Sequence, residues 1–295
     1  MKKVTIMTDS IAAIPKEIAE EYDIATVPFH VIVDGKDYLD TEIDMKWFYN
    51  KLKERDNLPT TSFPSVGEFW QAYQSLAQSS EAILYISMTS AFTKGYEAAI
   101  EAKKIAQEKL PKTKIEVIDS YTIEAGELLI VTKAARAAKA ARAAKEDKDI
   151  NEIMKLLNQV IPKVNLLEGT DTLFYRDKGG RIFQAKSWAE AESLTSFKAI
   201  LEVDASTGGI TKPVARAKTK TQMIEKMVDI AKERIGNKKL HAAIVHTNVL
   251  EQAERLKEML LSQCHCDELY VNEAAPATAV HSGEGLISFG FYGSD

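Results

Sequence analysis

Apolar positions along the chain fall into short dense runs, separated by stretches in which they recur every three or four residues. The runs predict strands and the spaced stretches predict helices. In the first half, Val4–Thr8, Ala82–Ser87 and Lys114–Ile118 read as strands. Thr26–Val33 and Lys36–Leu39 read as two arms of a hairpin, because Asp34-Gly35 is a two-residue turn signal. Helices are predicted over Pro15–Tyr22, with proline in the first turn, and over Met45–Glu54. Ser65 followed by Glu68 is a capping-box pattern that opens a helix through Gln78. Thr93–Lys109, an alanine-rich Glu124–Lys145 and Asn151–Val160 complete the set, and Pro162 ends it. Strands spaced by helices imply a parallel sheet covered on both faces.

The second half has a different rhythm. Gly179-Gly180 and Gly208-Gly209 mark turns, and Ala199–Asp204 and Gly209–Ala217 read as hairpin arms. Lys220–Ile235 and Leu250–Ser262 are predicted helices; Leu240–His246, Glu268–Val271 and Leu286–Tyr292 are predicted strands. The expected fold class is therefore α/β. A parallel-sheet, Rossmann-like N-terminal domain spans residues 1–162 and an α+β C-terminal domain spans residues 163–295.

Composition narrows the function. A chain of 295 residues with 45% hydrophobic and 27% charged residues is ordinary globular material. A net charge of -5 argues against nucleic acid as the main partner, since phosphate binding needs a basic face. Cys264 and Cys266 provide no disulfide framework, which points to a reducing compartment and so to a cytoplasmic location. After Met1-Lys2-Lys3 only Val4–Met7 is apolar, too little for a signal peptide, and no apolar run approaches the roughly 20 residues of a membrane span. Arg136, Lys139, Arg142 and Lys145 punctuate the alanine-rich segment; they read as a solvated helix face or a docking stripe.

Three predicted strands end in small polar residues: Thr8-Asp9-Ser10, Thr89-Ser90 and Asp119-Ser120; Thr60-Thr61-Ser62 precedes the capped helix. In a parallel sheet these hydroxyls converge beyond the carboxyl ends of the strands, where ligands bind. They are equally standard helix caps, and the two roles are compatible, because a helix N-terminus also attracts an anion. A second cluster, His281-Ser282-Gly283-Glu284-Gly285, offers a hydrogen-bonding imidazole beside glycines that let a backbone approach a ligand. Gly283-x-Gly285 is not a dinucleotide fingerprint, and there is no G-x-S-x-G elbow, Walker loop or H-E-x-x-H. Cys264-His265-Cys266 lacks a second ligand pair nearby. His241 and His246, five apart on a strand, face opposite ways. No metal or cofactor is expected.

Taken in order, these residues resemble the DegV family, whose characterised members are FakB-type fatty-acid-binding proteins. Met7-Thr8-Asp9-Ser10 is similar to its opening strand and T-D-S turn, and Pro59 through Ser65 to P-T-T-S-Q-P-S. Thr89 through Tyr96 resembles S-S-x-L-S-G-T-Y, and Val117-Ile118-Asp119-Ser120 resembles V-x-D-S. Leu173 through Ile182 is similar to L-x-x-L-x-x-G-G-R-I, Lys212 through Lys218 to a basic hairpin arm, and His281 through Gly285 to H-x-G-P-G. The resemblance spans essentially the whole chain. It implies a long-chain fatty acid in a cleft between the two domains, its carboxylate held by Thr61, Ser62, Ser90, Thr93 and His281. It also implies a kinase partner that phosphorylates the bound carboxylate. Two positions depart: Lys94 stands for a glycine, and Glu284 for a proline. Lys94 would pair with a carboxylate or face solvent, and the charge of Glu284 would need Lys94 or Arg181 to offset it.

The resulting expectation is a lipid carrier that is not itself an enzyme. The alternatives are a hydrolase or phosphotransferase acting at Ser90, Thr93 and His281, since a hydroxyl near a histidine is how activated nucleophiles begin, and a structural or regulatory protein with an empty cleft.

Overall fold

The computed structural model describes residues 2–54, 57–144, 149–192 and 194–295. Lys145, the last of the basic positions in the alanine-rich segment, lies outside the described residues. The first half contains strands β1 (Thr5–Asp9), β2 (Ala25–Val27), β3 (His30–Val33), β4 (Lys36–Leu39), β5 (Thr60–Ser62), β6 (Ala82–Ser87) and β7 (Lys114–Asp119). Its helices are α1 (Lys16–Tyr22), α2 (Met45–Leu52), α3 (Val66–Ala77), α4 (Gly95–Lys109), α5 (Glu124–Ala144) and α6 (Ile150–Val160). The second half adds β8 (Asn165–Thr170), β9 (Lys198–Glu202), β10 (Lys212–Ala217), β11 (Lys239–His246), β12 (Cys266–Glu273) and β13 (Ile287–Ser294). With them come α7 (Phe174–Lys178), α8 (Lys186–Glu192), α9 (Lys220–Ile235), α10 (Leu250–Gln263) and α11 (Pro276–Ser282).

β1 and β6 are buried along their whole length because they are the inner strands of a parallel sheet of order β2-β1-β6-β7. Helices cover both faces. Phe69 and Tyr73 of α3 and Ala98, Ala99, Ala102 and Ala106 of α4 pack on Met7, Ile83, Tyr85 and Val117. On the other face, Ile6, Leu84 and Ile86 meet α5 and α6. The second sheet has the order β10-β9-β8-β13-β11-β12 and is antiparallel except where β11 pairs with β12. One of its faces carries α9 and α10; the other, through Leu166, Ala243, Val245 and Tyr292, joins the apolar cluster around α5.

α5 therefore lies between the two sheets, which explains its alanines. Ala125, Ala134, Ala135 and Ala141 are buried, and small side chains let both sheets approach. At Gly290 of β13 a Cβ would lie 2.4 Å from the Ala125 carbonyl oxygen, backbone against backbone. Two of the basic positions in this segment are tied to neighbours: Arg136 pairs with Glu268, and Lys139 Nζ lies 3.0 Å from Glu21. Among the described residues no helix is long and apolar enough to cross a membrane.

One predicted element is corrected. Thr26–Val33 is not a single hairpin arm, because the chain leaves the sheet after Val27. β2 pairs with β1 in the parallel sheet, while β3 pairs with β4 and β5 in a separate three-stranded antiparallel sheet. The turn itself forms as predicted, with Asp34 at φ 52° and Gly35 at φ 78°. The Ser65–Glu68 capping box forms too.

Candidate functional site

The small sheet carries Thr61 to the centre of the molecule. β5 pairs with β3, placing Val31 opposite Thr61, and strand alternation turns Thr61 inward while Thr60 and Ser62 face solvent. α11 packs on this sheet and on α7 and brings His281 to Thr61. Thr61 Oγ1 lies 2.8 Å from His281 Nε2, although 220 residues separate them. On the other side of the ring, Arg181 Nη1 lies 3.3 Å from Nδ1. The same guanidinium donates to the Gly179 carbonyl at 2.7 Å and to the Phe92 carbonyl at 3.3 Å.

These partners settle the proton positions. A guanidinium only donates, so Nδ1 accepts from it and the neutral ring carries its hydrogen on Nε2. Burial, with Arg181 and then Arg176 nearby, holds the imidazole well below its usual pKa, so it is neutral at pH 7. Nε2–H donates to Thr61 Oγ1, which leaves the Thr61 hydroxyl proton to point elsewhere.

Thr61, Thr93 and His281 line one narrow cleft with a cavity volume of about 30 Å3, room for a water or two beside the side chains. Its walls are mostly apolar: Ile11, Phe29, Met88, Phe92, Ile123 and Ala277. The Thr93 hydroxyl accepts from Gly95 N–H at 3.1 Å, at the first turn of α4. Ser90 lies outside this cleft, in an adjoining groove with Phe63, Lys94 and Arg181 that shares Thr61, Phe92 and Thr93. Its backbone N–H donates to Asp119. Ser62 lines neither space; its hydroxyl contacts the Phe63 carbonyl. Lys94 pairs with Glu97 at 3.2 Å and is largely exposed. Glu284 is offset by Lys53 at 3.6 Å and by the Asn248 amide at 3.3 Å, not by Lys94 or Arg181.

Most other polar strand ends hold loops. Asp9 accepts from Tyr85 Oη at 3.0 Å, Met88 N–H at 3.1 Å and Ile11 N–H at 3.1 Å. Ser10 donates to Asp40 at 2.6 Å, and Thr89 donates to the Gly209 carbonyl at 3.1 Å. Asp119 accepts from Tyr121 N–H at 2.7 Å. The glycines after His281 serve packing, not a ligand's approach: a Cβ at Gly283 would lie 2.3 Å from the Tyr175 ring, and one at Gly285 would lie 2.3 Å from Asp171.

Cleft residues that sequence reasoning passed over are Glu124, Arg176 and Thr278. Arg176 pairs with buried Glu168. Burial first, then the Glu168 charge, pushes the Glu124 carboxyl up to about 8, against the pull of Arg176 and the hydroxyls of Ser288 and Thr278. For Arg176 a signal existed: it occupies the second leucine place of L-x-x-L-x-x-G-G-R-I. Cys264 and Cys266 are free thiols, and among the described residues no group of His, Cys, Asp and Glu is arranged to hold a metal ion.

Two sheets around a shared helix, with a polar-mouthed apolar cleft beside it, define an α/β protein with mixed sheets. The chain belongs to the DegV family: the profile described as "Uncharacterised protein, DegV family" matches residues 3–294. A DegV domain-containing protein of Clostridium perfringens is 30% identical over 281 residues, 95% of each chain. Among solved structures, DegV of Bacillus subtilis, described as a fatty acid binding protein, superposes with a TM-score of 0.85 at 26% identity, covering 100% of both chains. A DegV family protein from Thermus thermophilus, reported with fatty-acid binding, gives a TM-score of 0.86 at 23% identity over 99% of this chain and 100% of that one.

Proposed function

We propose that this chain binds a long-chain fatty acid, its carboxylate held at Thr61, Thr93 and His281 and its acyl chain along the apolar walls. The observation that carries the reading is the oriented chain of donors from Arg181 through His281 to Thr61. It leaves a hydroxyl proton free at the mouth of an apolar cleft. A carboxylate is the partner such a donor favours, and a hydrogen bond to a charged group is worth about 1.5–3 kcal/mol. Each buried methylene adds about 0.8 kcal/mol, so a chain of about sixteen carbons outweighs the head group. The full-length similarity to the fatty acid binding protein of B. subtilis supports the same reading.

We further propose a FakB-type, non-catalytic role in the cytoplasm. The groove holding Ser90 and Lys94 borders the head-group position and offers a partner kinase access to the carboxylate. A hydrolase or phosphotransferase at Ser90, Thr93 and His281 has weaker support. An imidazole whose Nδ1 faces an arginine, with its pKa held low, is a poor base, whereas a triad histidine is oriented by a carboxylate. The test is to denature the purified protein, extract it with organic solvent and identify the lipid by mass spectrometry. A stoichiometric fatty acid is expected. Protein that yields none and, once delipidated, takes up none would overturn the reading.

A further inference from the structure

Three further polar groups line the cleft beside Thr61, Thr93 and His281. Glu124, Arg176 and Thr278 are 2%, 3% and 5% exposed. Glu124 Oε2, Arg176 Nε, Thr278 Oγ1 and Ser288 Oγ make no hydrogen bond of ordinary length among the described residues, although the Thr278 and Ser288 hydroxyls lie near enough to Glu124 to favour its charged form. Buried polar atoms are normally paired, so each unpaired one calls for an explanation, such as an absent ligand. Glu124 also begins α5 with φ at 48°, a left-handed conformation that is rare outside glycine and that clusters at ligand sites. Arg176 pairs with Glu168, and among the described residues Glu124 makes no ion pair, although the Arg176 charge still acts on it. Burial and the Glu168 charge favour a protonated Glu124, which can both donate and accept a hydrogen bond.

Their position relative to the head group follows from the helix. Thr278 and His281 are three residues apart on α11, so they share a face about 5 Å apart. A carboxylate at His281 would bring the first few carbons of its chain past Thr278 and Glu124. We infer that the cleft selects a fatty acid bearing a hydroxyl close to its carboxyl end over an unsubstituted one, the hydroxyl meeting Thr278 and Glu124. A second carboxylate there would face Glu168 and Glu124, both acidic, and is disfavoured.

The inference rests on the fatty-acid reading, and the experiment separates the two. Delipidated protein is titrated with palmitic acid, β-hydroxypalmitic acid and ω-hydroxypalmitic acid. The β-hydroxy acid is expected to bind about tenfold tighter than palmitic acid, with no such gain for the ω-hydroxy acid. Thr278→Val and Glu124→Leu should each erase the preference while still binding palmitic acid. Should Glu124→Leu fail to fold, the Thr278 variant and the comparison of three ligands on unaltered protein still decide. Equal affinity for palmitic and β-hydroxypalmitic acid, or a preference for the ω-hydroxy acid, ends the inference and leaves fatty-acid binding standing. Binding of none of the three ends both.

Discussion

Thr61→Val replaces the hydroxyl by a methyl group of the same shape and tests the head-group chain at its last link. Two losses follow. His281 Nε2–H loses the acceptor it holds at 2.8 Å, and a buried donor left unpaired costs about 1–3 kcal/mol of stability. The ligand carboxylate loses a donor worth about 1.5–3 kcal/mol, which corresponds to a Kd weaker by about 10- to 150-fold. Thr61→Ser keeps the hydroxyl and should stay close to wild type in both respects. The assay is calorimetric titration of delipidated protein with palmitic acid, alongside thermal melts of the ligand-free variants. A stability loss of about 1 kcal/mol lowers Tm by about 2–4 °C in a chain of this size class. If Thr61→Val melts earlier yet binds palmitic acid as tightly as wild type, the hydroxyl only positions His281. The assignment of the carboxylate to Thr61 would then be wrong.

Gly179→Ala should weaken fatty-acid binding by more than about tenfold, because its Cβ would lie 2.3 Å from His281 Nδ1, although a backbone φ of -79° suits alanine. Gly180→Ala, at φ 70° in open space, should cost about 1 kcal/mol of stability and leave binding alone, as parallel melts and titrations would show. Gly290→Ala should destabilise the fold by about 1–3 kcal/mol or prevent expression, since its Cβ would meet the Ala125 backbone; denaturant unfolding checks this. Stability should fall as pH rises from about 4.5 to about 8. Burial raises Asp40 to about 7 and Glu124 to about 8, so the folded chain holds protons that the unfolded chain has already released. Their contribution, complete below the unfolded carboxylate range, is lost through the folded values at up to about 1.4 kcal/mol per pH unit for each group. His30, also raised, adds in the same direction. His281, held low, acts only below its unfolded value, where acid favours the unfolded chain. Melts of wild type against a Glu124→Gln, Asp40→Asn double variant should show the slope flattening, and an unchanged slope would refute the assignment.

Elements governed by local interactions were legible in the sequence. The helices α3, α9 and α10, the strands β6 and β11, the Asp34-Gly35 turn and the Ser65–Glu68 box each depend on spacing, caps and turn residues within a few positions. Thr61, Thr93 and His281 could also be named from motif resemblance before their proximity was known. Tertiary structure decided what those residues do. β5 is three residues long and exists only because β3 offers it a ladder; the same pairing turns Thr61 inward and Ser62 outward. α11 is a seven-residue helix held by packing on α7 and the small sheet, so its sequence, ending in small residues and glycine, reads as a loop. Nothing local to the alanine-rich stretch records a second sheet, most of whose contact with it comes from β11 and β13 far later in the chain, that needs its backbone close. The proton arrangement of His281 required Arg181 on one side and Thr61 on the other, two partners far apart in sequence. Protonation and burial belong to the environment of a group, and for Glu124, Arg176 and His281 that environment is assembled only when the two sheets close around α5.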